Sequence, residues 1–391
     1  MKRDTAVLLL ALGQTLVWAS LYYIFPALLL RWESDLGWSK ADLTAAITIA
    51  VLVSAAASPL AGRIIDHGKG ALMLGLSSLI GGVGLILLSG VTEKWQFFAV
   101  WVLIGLATSG CLYEPCFALI TRARGAKAKT GIILVTLVAG FASTISYPAV
   151  YTLAEALGWR GAVQVFAALV IFVVSPILWL GGHLLERDNR TERAAPEPKQ
   201  HSRQFLKTPA FWYLALGFAC LAMAHGAALQ HLLPILDERG LSPEMAVLAA
   251  SFIGPMQVAG RIAIMASERY LSNHGVAMAA FLAMTLSMVM LLVSGTSPGF
   301  LSGFVILFGS AYGTVSILRP LLAREILGEA NFGAKSGALA LPYLAGAAMA
   351  PYLGSLIWTL GGYDLMLLVL LGVITLGAAL HLKAHRFKST V

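Results

Sequence analysis

The chain has 391 residues, 58% of them hydrophobic and only 12% charged, with a mean hydropathy of +0.81. A soluble domain carries about a quarter charged residues, so this composition excludes a soluble globular protein and points to an integral membrane protein. The formal net charge of +8 is scattered through short connections rather than gathered in one patch, which excludes a nucleic-acid-binding surface.

A helix needs about 20 apolar residues to cross a bilayer. Twelve segments qualify in chain order: 5–30, 42–62, 71–91, 95–119, 131–155, 161–183, 210–236, 245–267, 275–295, 299–322, 335–359 and 363–382. The basic start "MKRD" leads into an apolar run too long for a signal-peptide core, so it opens the first span. Span one carries Gln14, Tyr22 and Tyr23, whose polar groups are candidates for lining a cavity. In span three, "GGVG" at 81–84 follows no strand and reads as helix packing rather than a phosphate loop.

Span four contains "GCLYEPCFALITR", residues 110–122, in which Glu114 is the sole charge before Arg122. A carboxylate in such a segment is costly unless it is paired, hydrated or protonated. Glu114 is expected to share a small-residue face with Gly110 and Cys111, and Tyr113 beside it adds a hydroxyl. Cys111, Cys116 and Cys220 lie in apolar segments without metal-ligand spacing and read as reduced packing residues; no metal site or cofactor is expected.

After span six, residues 184–209 are polar and contain three prolines, which marks a cytoplasmic linker between two domains, 1–183 and 210–391. Span seven holds His225, either a proton-shifting group or a satisfied hydrogen-bonding residue. Span eight holds Arg261, on one face with Gln257 and Gly254 by helical spacing. It is either a cation that pairs with an anionic substrate or an arginine snorkelling to the interface. Span ten places Gly309, Tyr312, Gly313, Ser316 and Arg319 on one small or polar face, with Pro320 directly after Arg319.

Orientation follows from Lys and Arg. Of the 27, Arg261 and Arg319 lie within spans. Arg31, Lys40, Lys94, Arg160 and Arg239 fall on one side, which leaves 20 on the other and makes that side, with both termini, cytoplasmic. The halves also repeat. "DLGWS" at 35–39 matches "ERGLS" at 238–242, and "PAVYTLAEALGW" from Pro148 matches "PYLGSLIWTLGG" from Pro351, both at an offset of 203. "ALG" at 11–13 recurs at 215–217, and "EP" at 114–115 faces "RP" at 319–320. An all-α fold of two parallel six-helix repeats is expected. At this offset Arg63 corresponds to position 266, so Arg261 lies five residues, about 7.5 Å by helix rise, deeper than Arg63. The repeat also makes Arg319 the counterpart of Glu114. Two prolines would loosen the backbone at both places.

The architecture resembles the major facilitator superfamily. "PLAGRIIDHGKG", residues 59–70, is similar to the family signature between spans two and three, although one residue short and with His67 where an arginine is common. The resemblance implies that Gly62 allows close helix approach and that Asp66 caps or pairs at a cytoplasmic gate. "EALGWRGAV" (155–163) and "GPMQVAGR" (254–261) resemble the monocarboxylate and oxalate/formate branch, which implies that Arg261 binds a substrate carboxylate. Two departures stand out. The animal carriers have an Asp where this chain has Gln257, and the oxalate transporter's span-eleven lysine has no match in "ALPYLAGAAMAPYLGSLIW".

The expected function is secondary transport of a small organic anion, most simply a monocarboxylate, with a proton, by a monomer in the plasma membrane. Arg261 and Arg319 with Gln257, Tyr22, Tyr23, Tyr113, Tyr312 and His225 form the expected substrate site. Glu114 carries the proton, or forms an ion pair with Arg319 that makes and breaks during alternating access, or bridges statically to Arg122 or Arg319. Apolar walls select chain length weakly, at about 0.8 kcal/mol per methylene. A proton-antiport exporter is the first alternative, but its Gly-Pro-rich span-five signature is missing from "LVTLVAGFASTISYPAVYTL". A non-transporting sensor with this fold is the second. No sequence feature supports an enzyme.

Overall fold

The computed structural model describes residues 2–125, 128–188, 204–267, 270–328 and 332–387. Among these there is no strand. The chain divides into Met1–Pro196 and Glu197–Val391. Most of the linker expected over 184–209, residues 189–203, lies outside the described residues.

The first half contains α1 (Lys2–Leu21), α2 (Ile24–Leu36), α3 (Lys40–Asp66), α4 (Gly70–Ser89), α5 (Lys94–Cys111), α6 (Tyr113–Arg124), α7 (Ala128–Ala139), α8 (Ala142–Leu169) and α9 (Ser175–Asp188). The second contains α10 (Pro209–Gln230), α11 (Leu232–Glu238), α12 (Pro243–Ser267), α13 (Asn273–Leu292), α14 (Pro298–Leu327) and α15 (Phe332–Arg386). Ten helical stretches among the described residues are long and apolar enough to cross a membrane. Two of them, Ala128–Arg187 and Lys335–Arg386, run to 60 and 52 residues. The first is turned at Gly158 (φ 71°) and the second at Gly361 and Gly362 (φ 71° at Gly362), and the positive φ favours glycine at both turns.

Three short breaks share one cause. α2, α6 and α11 each carry a proline at their third residue: Pro26, Pro115 and Pro234. Proline has no N–H and clashes with the carbonyl four residues back, so the chain interrupts the helix just upstream, at Tyr22–Tyr23, Leu112 and His231. At Leu112 the backbone is extended (φ −83°, ψ −158°). The Cys111 carbonyl, which Pro115 cannot serve, instead accepts from Gln14 Nε2 of α1 at 2.7 Å. Gln14 is fully buried. Expected as a cavity-lining group, it is a structural donor that repairs the broken ladder.

The repeat seen in the sequence reappears in the elements. Gly70–Ser89 and Asn273–Leu292 are both 20 residues and differ by 203 at each end. Close helix approach is also repeated. A Cβ at Gly105 would stand 2.4 Å from the Ala50 carbonyl oxygen, and one at Gly309 would stand 2.8 Å from that of Ile253. The core of the first half is aromatic: Trp32 lies 5.4 Å from Phe25, 5.3 Å from Phe97 and 6.2 Å from Trp159 between ring centroids.

Candidate functional site

In the second half, Arg261 of α12 is only 6% exposed, and its Nε donates to the Gly313 carbonyl of α14 at 3.2 Å. This contact needs glycine. A Cβ at Gly313 would lie 2.1 Å from the Gln257 carbonyl oxygen, and one at Gly260 would lie 2.3 Å from that of Ser310. The two helices therefore touch through their backbones, and the Gly313 carbonyl is brought within reach of the guanidinium. Gln257, one turn before Arg261, is 5% exposed, and its Nε2 has no hydrogen-bond partner. A buried cation thus stands one helical turn from an unused buried donor, the Nε2 of Gln257.

Arg319 is half-buried, with its guanidinium carbon 4.5 Å above the ring of Tyr343 on α15. The Tyr343 and Tyr312 hydroxyls are 2.9 Å apart and hydrogen-bonded. The Tyr312 ring lies parallel to His225 at a 3.3 Å centroid separation, and Phe308 also stacks on His225 at 4.7 Å. His225 is 3% exposed, and its Nε2 makes no hydrogen bond. The structure therefore joins His225, Tyr312 and Arg319 in one aromatic wall, with Tyr343 as the connecting residue.

In the first half, Tyr22 and Tyr23 occupy the break between α1 and α2, where both amides turn to the Trp18 carbonyl, at 3.2 and 3.0 Å. The Trp18 ring lies 5.0 Å from Tyr22 and 4.8 Å from Tyr113, and Tyr113 stacks on Phe117 at 5.0 Å. Tyr23 meets Tyr147 of α8 at 6.0 Å, and the Tyr147 hydroxyl is buried without a partner. Tyr22, Tyr23 and Tyr113 thus belong to one aromatic cluster. Glu114 follows Tyr113 and is exposed.

Three expectations about Glu114 and its counterpart change. Glu114 does not share a helical face with Gly110 and Cys111, because the break at Leu112 separates them; a Cβ on Gly110 would instead run into Ser77 Oγ at 2.1 Å. Among the described residues no ion pair joins Glu114 to Arg122, which donates to the Ile65 carbonyl at the end of α3. Pro320 does not interrupt α14, which is helical from Pro298 to Leu327.

This helical architecture agrees with the comparison to known families. The Major Facilitator Superfamily model matches residues 10–333. The chain belongs to that superfamily. As a superfamily member it is a membrane transporter and not an enzyme. Two curated relatives are both called Monocarboxylate transporter 12. The human protein is 23% identical over 348 residues, which is 78% of this chain and 66% of that protein. The Xenopus laevis protein is 23% identical over 336 residues, 78% of this chain and 72% of the relative. The chain thus spans about two thirds of the length of these relatives. Among solved structures, the nucleoside transporter NupG aligns with a TM-score of 0.73 at 13% identity, over 99% of this chain and 100% of that one. A bacterial homolog of the human lysosomal transporter Spinster aligns with a TM-score of 0.70 at 16% identity, over 98% and 97%. At these identities the two structures speak to the fold alone.

Between spans two and three of the facilitator chain, Gly68 (φ 78°) makes the tight turn, and Arg122 caps the preceding helix from α6. Asp66 is exposed and makes no hydrogen bond or ion pair among the described residues. Beyond its own stretch of helix, a Cβ built on Gly62 meets no described atom within 4 Å. Sequence reasoning missed Tyr343, Trp18, Phe308 and Tyr147. Each acts through a contact between helices far apart in the chain, which no i, i+3 or i, i+4 spacing reveals. The weak signal available for Tyr343 was a phenol in the otherwise apolar "LALPYLAG".

Proposed function

We propose that this facilitator-superfamily chain moves a small organic anion, in the first instance a monocarboxylate, across the plasma membrane together with a proton by alternating access. The observation that carries the reading is the buried Arg261 guanidinium beside the partnerless Nε2 of Gln257. A carboxylate offers a charge opposite to that of Arg261 and an acceptor for the unused Nε2 of Gln257, and the planar fork of arginine matches it. The similarity to two monocarboxylate transporters points the same way. Arg319, held over Tyr343, supplies a second positive charge in the same half. In that half Tyr312 and His225 supply a wall that packs against a short carbon chain, and in the first half Tyr22, Tyr23 and Tyr113 offer an aromatic surface of the same kind. Glu114 is the proton carrier on this reading, and it is exposed. Gly62 and Asp66 belong to the cytoplasmic gate.

The topology that goes with this reading has twelve crossings. The 60- and 52-residue stretches each count twice, because one crossing takes about 20 residues and each stretch is turned by glycine near its middle. The excess of Lys and Arg puts both termini in the cytoplasm. The chain works as a monomer without a cofactor.

The test is proton movement into proteoliposomes carrying a pH dye, on addition of lactate, pyruvate, acetate, oxalate or a lipophilic cation in turn. Weak acids cross bilayers unaided, so protein-free vesicles are subtracted. Acidification that follows one of the acids and disappears in Arg261→Ala is the expected result. Flux with the cation alone would replace this reading by an exporter.

A further inference from the structure

Three histidines meet at one end of the second half, away from the residues assigned to transport. His274 is the second residue of α13, and His381 and His385 lie one turn apart near the end of α15. His274 Nδ1 and His381 Nε2 are 3.1 Å apart. The His274 ring lies flat on His385 at 3.8 Å and 10°, and near-parallel to His381 at 5.0 Å and 22°. His381 is 1% exposed and also stacks on Phe281.

The geometry points to a proton-binding site whose occupation unfastens the end of α15 from the start of α13. The hydrogen bond between His274 and His381 requires one of the two nitrogens to be a bare acceptor. A proton added there turns both facing nitrogens into N–H donors, so the bond is lost and a charge appears between stacked rings. The buried Nδ1 atoms of His381 and of His385 have no partners. A fully protonated ring would leave such an N–H unsatisfied in an enclosed place, so the closed arrangement is the neutral one. The ligand is a proton rather than a metal ion, because parallel rings do not aim three lone pairs at one point. Consistent with this, no group of three or more metal-ligating side chains among the described residues could hold an ion.

The charged neighbours do not remove the effect. Glu325 of α14 is the nearby acid, and its Oε2 already accepts from Asn273 Nδ2 at 3.1 Å. Arg324 of α14, with Lys383 and Arg386 of α15, is exposed. Lys383 Nζ stands 5.9 Å above the ring of Tyr213 on α10, and Phe387 packs on that same ring at 5.7 Å. These cations oppose a further positive charge at the cluster, while Glu325 favours the first proton.

The experiment is independent of any transported solute. The full chain, purified in detergent, is unfolded thermally under tryptophan fluorescence between about pH 7.5 and about pH 5.5, the range in which imidazole titrates. His274→Phe keeps the stacked ring but cannot bind a proton, and His381→Phe removes the other partner of the bond. The histidines outside the cluster are common to all three proteins, so the difference between parent and variant isolates the cluster. The expected result is that acid lowers the Tm of the parent by several degrees more than that of either variant. Parallel falls in parent and variants would overturn the proposal. Should one variant fail to fold, the other decides.

Discussion

Spans four and ten occupy matching places in the repeat, yet only span four is broken. Each has a charged residue followed by a proline, Glu114–Pro115 and Arg319–Pro320. In span four the chain gives way at Leu112, and the Cys111 carbonyl is taken by Gln14. At the repeat offset of 203 or 204, the counterpart of Gln14 is Gly217 or Phe218. Neither has a side-chain donor, so no residue in that place could repair a broken span ten, and α14 stays helical through Arg319. The difference shows that proline alone does not decide a break inside a membrane. In span four a donor from a neighbouring helix serves the carbonyl that proline abandons.

The chemistry of the two halves divides in the same way. The first presents an exposed acid on a short helix after a break, beside an aromatic cluster. The second buries a base at a seam between two unbroken helices. The largest effect is expected at the base. Arg261→Ala removes the fixed charge, and a hydrogen bond to a charged group contributes about 1.5–3 kcal/mol, so anion affinity should fall roughly 10- to 100-fold. Equilibrium binding or the substrate dependence of flux measures this. Unchanged affinity would place the anion elsewhere. Arg261→Lys keeps charge without the planar fork and should fall between parent and alanine.

Changing the acid should affect coupling instead of affinity. Glu114→Gln is expected to reduce anion-driven acidification to the protein-free level while anion-for-anion counterflow persists. If both are lost together, Glu114 is structural or binds the substrate. Gln14→Met tests the break itself. It keeps the length of the side chain but leaves the Cys111 carbonyl without its donor, at a cost of about 1–3 kcal/mol. The partnerless Oε1 of Gln14 disappears in the same change, which moves the net loss to the lower end, a few degrees of Tm. A melting temperature equal to that of the parent would mean that span four breaks without help.

How much of this could be read from sequence depends on how local the cause is. The apolar spans follow from composition. The repeat was readable because Pro148 and Pro351 keep their places, and the glycine turns at 158 and 361 lie in those same two stretches. Arg261 was singled out by its place in the repeat, and its face with Gln257 by helical period. What could not be read was any relation across helices. Nothing near Gln14 says that its partner is a carbonyl 97 residues away. The assignment of Glu114 to the face of Gly110 assumed a continuous helix, and helical spacing has no meaning across Leu112. The same holds for Tyr343, which touches two residues of α14 that lie seven positions apart.

Tyr343 also gives the finest distinction between the halves, because it separates a hydroxyl from a ring. Tyr343→Phe deletes the bond to Tyr312, which contributes about 0.5–1.5 kcal/mol, and leaves the ring under Arg319. Tyr343→Leu removes both the bond and the cation–π contact, which adds about 0.5–1 kcal/mol at a site with access to solvent. If Arg319 draws its orientation from the ring, the phenylalanine variant should transport within a few-fold of the parent, and the leucine variant should lose more, mainly in apparent substrate affinity. If it draws it from the Tyr312–Tyr343 bond, the two variants should be equally impaired. In that case the aromatic wall of the second half acts as a hydrogen-bonded unit.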